Sequence, residues 1–558
     1  MHATTLPEGI ASGDVSSDRA TLWTRSLELG DVTFRVYIDT GDGLQQVAVA
    51  KAEVKNPNRP VKVTFDGLDP GTDYVYRVSD AAGSIAYGSF STAHDTGHNG
   101  LTFGVTGDWR GDAAPYAAIS NMDEAGLEFM VFLGDTVYAD VPSPAGPATT
   151  DIPGLRGKYQ EVYGERAGVN FWADVKAEVP VFAMIDDHEV FDNFAGGAGA
   201  GTEDRTPETS GFVNDTDAYE NGLQVFQEYH PIEDRFYGET GDPATAGERD
   251  LYRSQTYGQD AAIFVIDQRS FRDAQIDPVD LSGDAAQDAA EIEAFLDASF
   301  DPGRTLLGAA QLDQLKADLV AAEDDGVTWK FIHTPEPIQD LGDYANDPWS
   351  GYQAERTELL QFIEDEDISN VVFVAADIHG TFVNNITYTT EPGGPQIATD
   401  MWEITTGSVG FWPGAGLTAI GLGLFDGQIS LRETLQYLRL PVAPDPDDAI
   451  NDRDDFLTAF YNDTFLIPQG LDPLGLDDNL AAADGLIDAT LLQRDYVSAH
   501  TVGWTEFDID AQTQDLTLTT YGIAEYTPLA PLVAPRLVAR AEPEIVSQFV
   551  VSPDLDFV

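Results

Sequence analysis

The chain of 558 residues contains no cysteine. Neither a disulfide framework nor a thiolate metal site is therefore available, and the redox state of its compartment stays open. The sequence also lacks any run of about 18 apolar residues, which excludes a predicted transmembrane helix. Its first five residues contain neither a basic nor an apolar segment, so we expect either a cytoplasmic protein or one whose leader has been removed.

Basic residues are scarce as well. Only 29 lysines and arginines stand against 96 aspartates and glutamates, which gives a formal net charge of −67. A protein surface that binds nucleic-acid phosphates needs an excess of basic over acidic residues, so we predict no nucleic-acid binding. Self-repulsion of this size is tolerated when salt screens it, and we interpret the composition as adaptation to high salt. An ordinary acidic secreted protein is the alternative.

Apolar residues are not scarce. They make up 42% of the chain and aromatic residues 10%, which indicates a sizeable core and excludes disorder as the default state. At roughly 100–200 residues per domain, the length allows three or four domains, or two domains with large insertions.

Residues 1–95 have the pattern of an all-β module, because short alternating segments are separated by turns rich in glycine and asparagine. A turn directly precedes Tyr74 and an alternating strand, which is typical of the tyrosine corner of a Greek-key sandwich. The module resembles a fibronectin type III domain, and we expect it to dock or pack rather than to carry chemistry. The polar, glycine-rich segment 94–100 predicts a domain boundary.

From residue 101 onward, strands of buried type alternate with helical patterns over almost 300 residues, which predicts an α/β layered core. Predicted strands lie at 101–106, 129–133, 179–185, 261–266, 329–332, 371–376, 502–509 and 516–521, and predicted helices near 115–126 and at 309–322 and 356–364. We assign residues 100–558 to one catalytic domain with an acidic insertion at about 412–490. The acidic run 445–455 lacks the spacing of an EF-hand, so we expect a solvated loop.

Several predicted strands end in side chains that bind metal ions. Carboxylates and imidazoles brought by strand ends into one crevice suit hard to borderline ions. Each one alone is weak support, because an aspartate after a strand is often a helix N-cap. Together, in this order along the chain, they indicate a metal site: Asp108, Asp135, Asp187, His188, His333, Asp377 and His379.

The order Gly-Asp, Gly-Asp-x-x-Tyr, Asp-His, a strand ending in His and then x-x-His resembles that of the calcineurin-like metallophosphoesterases. Within that superfamily the chain is similar to the alkaline phosphatase D (PhoD-like) family. Shared segments lie at 10–14, 22–25, 186–190, 267–272, 304–308 and 349–352. The resemblance implies a four-layered β-sandwich core flanked by helices, placed after the fibronectin III-like sandwich.

The resemblance further implies two adjacent metal ions bridged by Asp135, which would activate a water and hold both oxygens of an in-line displacement. Ligands of the first ion would be Asp108, Tyr138 and His379, with the phenolate making it ferric, and those of the second would be Asp187, His333 and Asp377. Three alternatives stay open: Tyr138 and His333 as core residues, and Asp377 as a residue that orients His379.

Two positions depart from the family pattern. Asp108 replaces the usual cysteine and His333 replaces a residue other than histidine, and in both the chain looks more like the purple acid phosphatases. A carboxylate in place of a thiolate moves the site toward harder metals. The expected pair is therefore Fe(III) with calcium, zinc, manganese or another divalent ion.

Three further residues receive roles: His188 by the same resemblance, Arg110 because it closely follows Asp108, and Asn193 as a candidate contact. His188 would reach the phosphate and stabilise or protonate the leaving oxygen. Arg110 would bind a phosphate oxygen, and Asn193 would contact phosphate or calcium.

The leading hypothesis is a secreted dinuclear phosphatase that hydrolyses phosphomonoesters or phosphodiesters by attack of a metal-bridged hydroxide, for phosphate acquisition in high salt. By resemblance, we expect export by the twin-arginine route. The alternatives are a phospholipase D-like diesterase acting on lipid headgroups or cell-wall polymers, and a catalytically silent calcium-binding surface protein. The oligomeric state and the natural substrate are not predicted.

The charge balance gives a first testable prediction. The melting temperature should rise steeply between low salt and ~2 M KCl, because the Debye length falls to about 3 Å at 1 M salt and carboxylate repulsion is screened. Thermal unfolding followed by circular dichroism over a salt series measures this. A melting temperature that is indifferent to salt would remove the high-salt interpretation.

Overall fold

The structure is a computed structural model that describes residues 4–202, 205–206, 208–279, 284–342, 344–442, 449–476 and 480–555. Within these ranges, residues 10–109 form eight strands with no intervening helix, and helices are interspersed among the later strands, which confirms the predicted mixed α/β class. The strands are β1 (Ile10–Gly13), β2 (Arg19–Thr24), β3 (Gly30–Asp39), β4 (Leu44–Val54), β5 (Val61–Asp66), β6 (Asp73–Ser79), β7 (Ile85–Ser91), β8 (Leu101–Trp109), β9 (Phe129–Phe132), β10 (Val181–Ala183), β11 (Arg253–Tyr257), β12 (Ala261–Val265), β13 (Trp329–His333), β14 (Val371–Ala375), β15 (Val383–Tyr388), β16 (Ile397–Thr405), β17 (Ser408–Gly410), β18 (Asp488–Arg494), β19 (Thr501–Ile509), β20 (Leu516–Ala524) and β21 (Glu544–Ser552).

The helices of the described ranges lie mostly between β9 and β14 and in the segment 412–490. They are α1 (Ile152–Val162), α2 (Phe171–Glu178), α3 (Asp217–Tyr229), α4 (Ala285–Ser299), α5 (Ala309–Asp324), α6 (Gln353–Asp365), α7 (Ala415–Phe425), α8 (Leu431–Tyr437), α9 (Arg453–Tyr461), α10 (Ile467–Gln469), α11 (Ala530–Val533) and α12 (Pro535–Val538). A π-helical turn, Asn462–Leu466, joins α9 to α10.

Three sheets organise the strands. One has the order β18-β21-β20-β19-β8-β9-β10-β1-β2-β5 with β17 beside β8, a second has the order β11-β12-β13-β14-β16-β15, and a third has the order β4-β3-β6-β7. Strands β8, β9 and β10 are parallel, as are β12, β13, β14 and β16. Each parallel set therefore delivers the residues after its strands to one edge of its sheet.

The larger sheet and the six-stranded sheet pack face to face around a core of aromatic and β-branched side chains that includes Phe103, Phe331 and Phe507. Helices α1, α2 and α3 cover the outer face of the larger sheet, and α5 and α6 cover that of the six-stranded sheet. Strands with both faces covered are buried along their whole length, which is why their sequences are continuously apolar rather than alternating.

The N-terminal module is joined to the larger sheet, which contains β8, β9 and β10. Strand β1 pairs in parallel with β10 through Gly13 and Val181, so β1, β2 and β5 extend the larger sheet, while β3, β4, β6 and β7 form the four-stranded one. The predicted tyrosine corner is present: the Asp69 amide donates to the Tyr74 phenol oxygen at 2.8 Å. The likeness to a fibronectin type III domain and the boundary near residue 95 stay predictions.

Two secondary-structure expectations are wrong. The segment 115–126 contains two short 3-10 turns, Ala117–Ile119 and Met122–Glu124, instead of an α-helix. Residues 445–448 of the acidic run lie outside the described residues. Its described residues 449–451 are exposed, but Asp452 caps α9 and Asp454 accepts from His500 at 2.6 Å, and both are buried, so the part from Asp452 onward is not a solvated loop.

The β1–β10 junction generates the next prediction. A Cβ atom on Gly13 would lie 2.4 Å from the Val181 carbonyl oxygen, so Gly13→Ala should destabilise the protein by about 1–3 kcal/mol through overpacking. Gly157→Ala inside α1, where a Cβ meets nothing within 4 Å, should be neutral or stabilise by up to about 1 kcal/mol. Denaturant unfolding in molar salt compares the two. Equal effects would contradict the close approach at Gly13.

Candidate metal centre

Two Gly-Asp pairs place carboxylates where parallel strands end. A Cβ on Gly107 would lie 2.9 Å from the Ala376 Cβ, and one on Gly134 would lie 2.6 Å from the Asp186 amide nitrogen. Glycine is required at both positions because β8 packs closely against the segment after β14, and the segment after β9 packs closely against the segment after β10. This packing brings Asp108 and Asp135 together with the acidic residues that follow the other two strands.

Backbone strain is concentrated at the predicted ligands. Non-glycine residues rarely adopt positive φ, and such strain tends to cluster at functional sites. Five of the 13 described non-glycine residues with positive φ are predicted site residues, with φ between 51° and 65°: Asp108, Asp135, Asn193, Asp377 and His379. The left-handed turn re-aims each side chain into the crevice at the end of the sheets.

One half of the crevice joins a carboxylate, an imidazole and a phenol. His379 Nε2 lies 3.4 Å from Asp108 Oδ1 and 3.2 Å from the Tyr138 hydroxyl oxygen. The Asp377 amide donates to Asp108 Oδ2 at 3.3 Å. Asp108 and Tyr138 are buried, while His379 is partly exposed. The structure thus brings together all three side chains predicted to hold the first ion.

The other half contains Asp135, Asp187 and His188. One ligand atom from each of these residues lies within 4.8 Å of the others, a spacing that a metal ion can bridge. The Asn193 backbone amide donates to Asp187 Oδ2 at 2.5 Å, and its side-chain amide, with the NH₂ group toward the carboxylates, lies 3.2 Å from the same oxygen. Asn193 therefore lies beside the cluster, and its contact with phosphate or calcium stays a prediction.

The electrostatics of this site favour a bound cation. Burial, together with the charges of the neighbouring aspartates, raises the pKa of Asp135 and of Asp377 well above the usual range. Buried carboxylates that repel one another need a proton or a metal ion to become neutral. The donor set of carboxylate, imidazole and phenol oxygen or nitrogen suits iron and hard divalent ions, so the residues present fit the implied metals.

His188 is held in a fixed orientation. Its Nδ1 lies 2.6 Å from Asp140 Oδ1, and the other Asp140 oxygen accepts from Arg205 at 2.8 Å. This leaves Nε2 facing the cluster, 3.9 Å from Asp187 Oδ1, with the ring 4.2 Å from that of Tyr138. Burial lowers the pKa of His188, but the charges of Asp187 and Asp140 outweigh that effect and raise it to about 9.

Arg110 lies at the rim of the crevice. Its guanidinium group makes a two-pronged contact with Asp112, at 3.1 and 2.8 Å, and lies 5.6 Å from the centre of the Phe411 ring. The role of Arg110 in phosphate binding stays a prediction.

The structure does not bring His333 into the cluster. Its side chain is fully buried between the sheets, beside the rings of Phe103 and Phe331. Neither ring nitrogen has a hydrogen-bond partner among the described residues, and burial lowers the pKa of His333 to about 3. The alternation of β13 explains this placement, because residues 329, 331 and 333 all point into the core between the sheets.

Comparison with known proteins places the chain in a family. A model of the PhoD-like phosphatase family matches residues 105–417, and a model of that family's N-terminal domain matches residues 1–94. The chain belongs to the PhoD-like phosphatase family. Among curated proteins, alkaline phosphatase D of Bacillus subtilis (strain 168) is 27% identical over 411 residues, which cover 68% of this chain and 65% of the Bacillus protein.

Among solved structures, one described as the structure of PhoD matches with a TM-score of 0.66 and 19% identity, and covers 99% of this chain and 91% of that one. At this identity the match shows the fold. The match to the Bacillus protein spans slightly less than two thirds of that protein's length.

Sequence reasoning did not identify Glu189 as the support of this PhoD-like site. The Glu189 carboxylate is fully buried and accepts from the amides of Thr136 (2.7 Å), Asp186 (3.0 Å) and Asp135 (3.3 Å), and from the Thr136 hydroxyl at 2.7 Å. One side chain thus ties the loop after β9 to the loop after β10. A glutamate next to a histidine motif gives no signal in the sequence that separates a support from a ligand.

The sequence does not predict the buried arginine network behind the site either, although Arg269 lies in the segment 267–272 that resembles the PhoD-like family. Arg269 contacts Asp186 at 2.5 Å, Glu336 at 2.7 Å and both oxygens of Asp347 at 3.0 Å. Asp347 also lies 2.9 Å from the Asn193 amide nitrogen. The network supplies positive charge behind a cluster of carboxylates and fixes Asn193 from the opposite side.

The support by Glu189 is testable by stability. Glu189→Ala leaves four buried donors without their acceptor, and we expect it to lower the free energy of unfolding by at least about 3 kcal/mol. Glu178→Ala is the matched control, since Glu178 is exposed and accepts from the Ser89 hydroxyl at the surface. Denaturant unfolding in molar salt measures both. A similar, small loss in the two variants would contradict the supporting role.

Proposed function

We propose that this chain is a metal-dependent hydrolase of phosphoric esters, active on monoesters, diesters or both. The observation that carries the proposal is the convergence of four carboxylates with Tyr138, His188 and His379 in one crevice: the buried Asp108, Asp135 and Asp187 and the partly exposed Asp377. Membership of the PhoD-like phosphatase family and the likeness to the Bacillus alkaline phosphatase D support it.

The proposed metal ligands follow the two halves of the crevice. One ion would be held by Asp108, Tyr138 and His379 and the other by Asp187 and Asp377, with Asp135 shared between them. His333 is left out of the set because its ring lies in the core. When bound, two such ions activate a water and neutralise charge on the phosphate; iron with calcium, zinc, manganese or another divalent ion fits these donors.

The protein's own residues contribute proton transfer and positioning. His188 presents Nε2 to the cluster while Asp140 holds Nδ1, so the ring can carry a proton toward a leaving oxygen on the cluster side. Asn193 donates its side-chain amide to Asp187 and Asp347, so it positions the Asp187 carboxylate at the proposed site. Phe411 stacks on His379 at 3.6 Å between ring centres and shields that imidazole from water on one side.

The alternatives differ in substrate and in chemistry. A diesterase acting on lipid headgroups or cell-wall polymers would use the same side chains. A silent calcium-binding protein would not need the oriented His188–Asp140 pair, and this pair favours an enzyme.

Secretion, operation in high salt and a docking role for the fibronectin III-like module complete the proposal. None of the helices in the described ranges combines the length and hydropathy that a membrane span needs.

The experiment that tests the proposal uses Asp135→Asn. This variant should abolish hydrolysis of p-nitrophenyl phosphate and its bis-ester in molar salt and should lower the bound metal, because the proposed bridge contributes to both ions. Activity and elemental analysis are measured together, with Asp123→Asn at an exposed position as the control. Near-normal turnover with full metal content in Asp135→Asn would exclude the dinuclear assignment.

His188→Ala separates catalysis from metal binding. A positioned general acid contributes about 10²–10⁴ in rate, so turnover of alkyl phosphates should fall by that factor while both metals stay bound. The loss should be smaller for p-nitrophenyl phosphate, whose leaving group needs no proton. His98→Ala, on a half-exposed side chain, is the control. If His188→Ala loses metal instead, His188 is a ligand, and unchanged turnover of alkyl phosphates would exclude a catalytic role.

A further inference from the structure

Two segments of this acidic chain expose apolar side chains to water. We call these side chains the apolar collar. From residues 411–442 it comprises Trp412, Leu422, Phe425, Leu431, Leu435 and Leu438, and from residues 527–541 it comprises Leu529, Leu532, Val533 and Leu537. Phe425 is 88% exposed and Val533 79%, so these side chains protrude from the surface. Large exposed apolar groups concentrated in two short segments mark an interaction surface.

Helix α8 shows that the exposure is organised. Leu431, Leu435 and Leu438 are spaced by four and three residues, so they form one stripe along the helix. The buried residue of this helix, Tyr437, bonds to His500 at 2.5 Å, and His500 bonds to Asp454 of α9 at 2.6 Å. This buried chain of hydrogen bonds fixes the helix with its leucine stripe outward.

The collar borders the metal centre. Phe411 stacks on His379, and the Ala415 amide at the start of α7 donates to the His379 carbonyl at 3.2 Å. The Gly414 amide donates to Glu525 at 2.9 Å, and Leu529 follows Glu525 by four residues, a reach of at most about 15 Å. The segment 411–442 therefore begins beside the crevice, and the segment 527–541 begins within about 15 Å of a residue that contacts it.

The charge of the collar segments differs from that of the rest of the chain. Residues 411–442 contain two acidic and two basic residues, and residues 527–541 contain two arginines and no acidic residue. At the average charge density of the chain, 47 residues would carry about −6. The arginines are exposed and interleaved with the collar leucines: Arg432, Arg439, Arg536 and Arg540.

We propose that the apolar collar docks this protein onto a phospholipid surface. Exposed leucine and phenylalanine with interleaved arginine is the composition of helices that lie in a membrane interface, where apolar tips enter the acyl boundary and arginines meet headgroup phosphates. Apolar side chains that protrude into water suit a soft apolar medium, whereas a protein partner requires matching pockets. A second copy would also bring two chains of −67 into contact.

Trp412 provides a native reporter for a test on the full chain. It is 38% exposed, while the other seven tryptophans are nearly or fully buried. Vesicles of phosphatidylcholine with brominated acyl chains, in about 2 M KCl to screen repulsion, should quench part of the tryptophan fluorescence. The protein should co-sediment with the same vesicles. Trp412→Phe should keep the co-sedimentation and lose the quenching.

The triple variant Phe425→Ser, Leu435→Ser, Leu537→Ser should weaken vesicle binding at least tenfold, because three apolar groups no longer leave water. The matched control is Val49→Ser, Ile85→Ser, Tyr87→Ser on β4 and β7, where exposure is 53–56%; it should bind like the unaltered protein. Hydrolysis of a soluble ester should be unchanged in both triples, since none of these residues touches the metal centre.

Three results would overturn the proposal: no association of the unaltered protein with vesicles, equal loss in both triple variants, or a dimer in light scattering that only the collar variant dissociates, which would assign the collar to a second copy. Vesicle binding requires no hydrolysis. A failure of the proposed phosphatase function would therefore leave the outcome of this test intact, and the two failures are distinguishable.

Discussion

The repulsion among carboxylates at one end of the larger sheet and the six-stranded sheet is the constraint on which the rest of the site depends. Asp108, Asp135, Asp187 and Asp377 are brought together although each charge raises the cost of the others. The fold opposes that cost without metal through fixed partners. Glu189 holds the two loops together by their amides although its own charge adds to the repulsion on Asp135, and Arg269 supplies compensating positive charge behind Asp186.

The same end of the molecule concentrates backbone strain. Site residues with positive φ follow strands that are anchored on both faces, so the packing of the strands over-determines the turn that each residue makes. Gly107 and Gly134 let the strand ends approach closely enough for the turns to converge. Packed layers and strained ends together hold the site residues in one crevice.

The segment 412–490 connects this site to the surface. Its first helix starts at the His379 carbonyl, and its acidic residues Asp452 and Asp454 are used inside as a cap and as a partner of His500. These two aspartates are thus buried and support the fold, while apolar side chains of the same segment are exposed to water. This inversion of the usual pattern is what distinguishes the segment from the acidic surface around it.

The sequence by itself determined the mixed α/β class, the strands that end at the site, and the acidic, imidazole and phenol side chains gathered there, because these follow from local patterning and from short motifs. Tertiary structure decided what depends on contacts between distant segments. The side chain of His333 lies in the core because the pleat of β13 fixes the direction in which residue 333 points. Glu189 and Arg269 support the site through hydrogen bonds to residues 50 or more positions away, and such contacts leave no trace in local sequence. Tertiary structure also joined β1 to β10, a pairing that no periodicity within either strand could reveal.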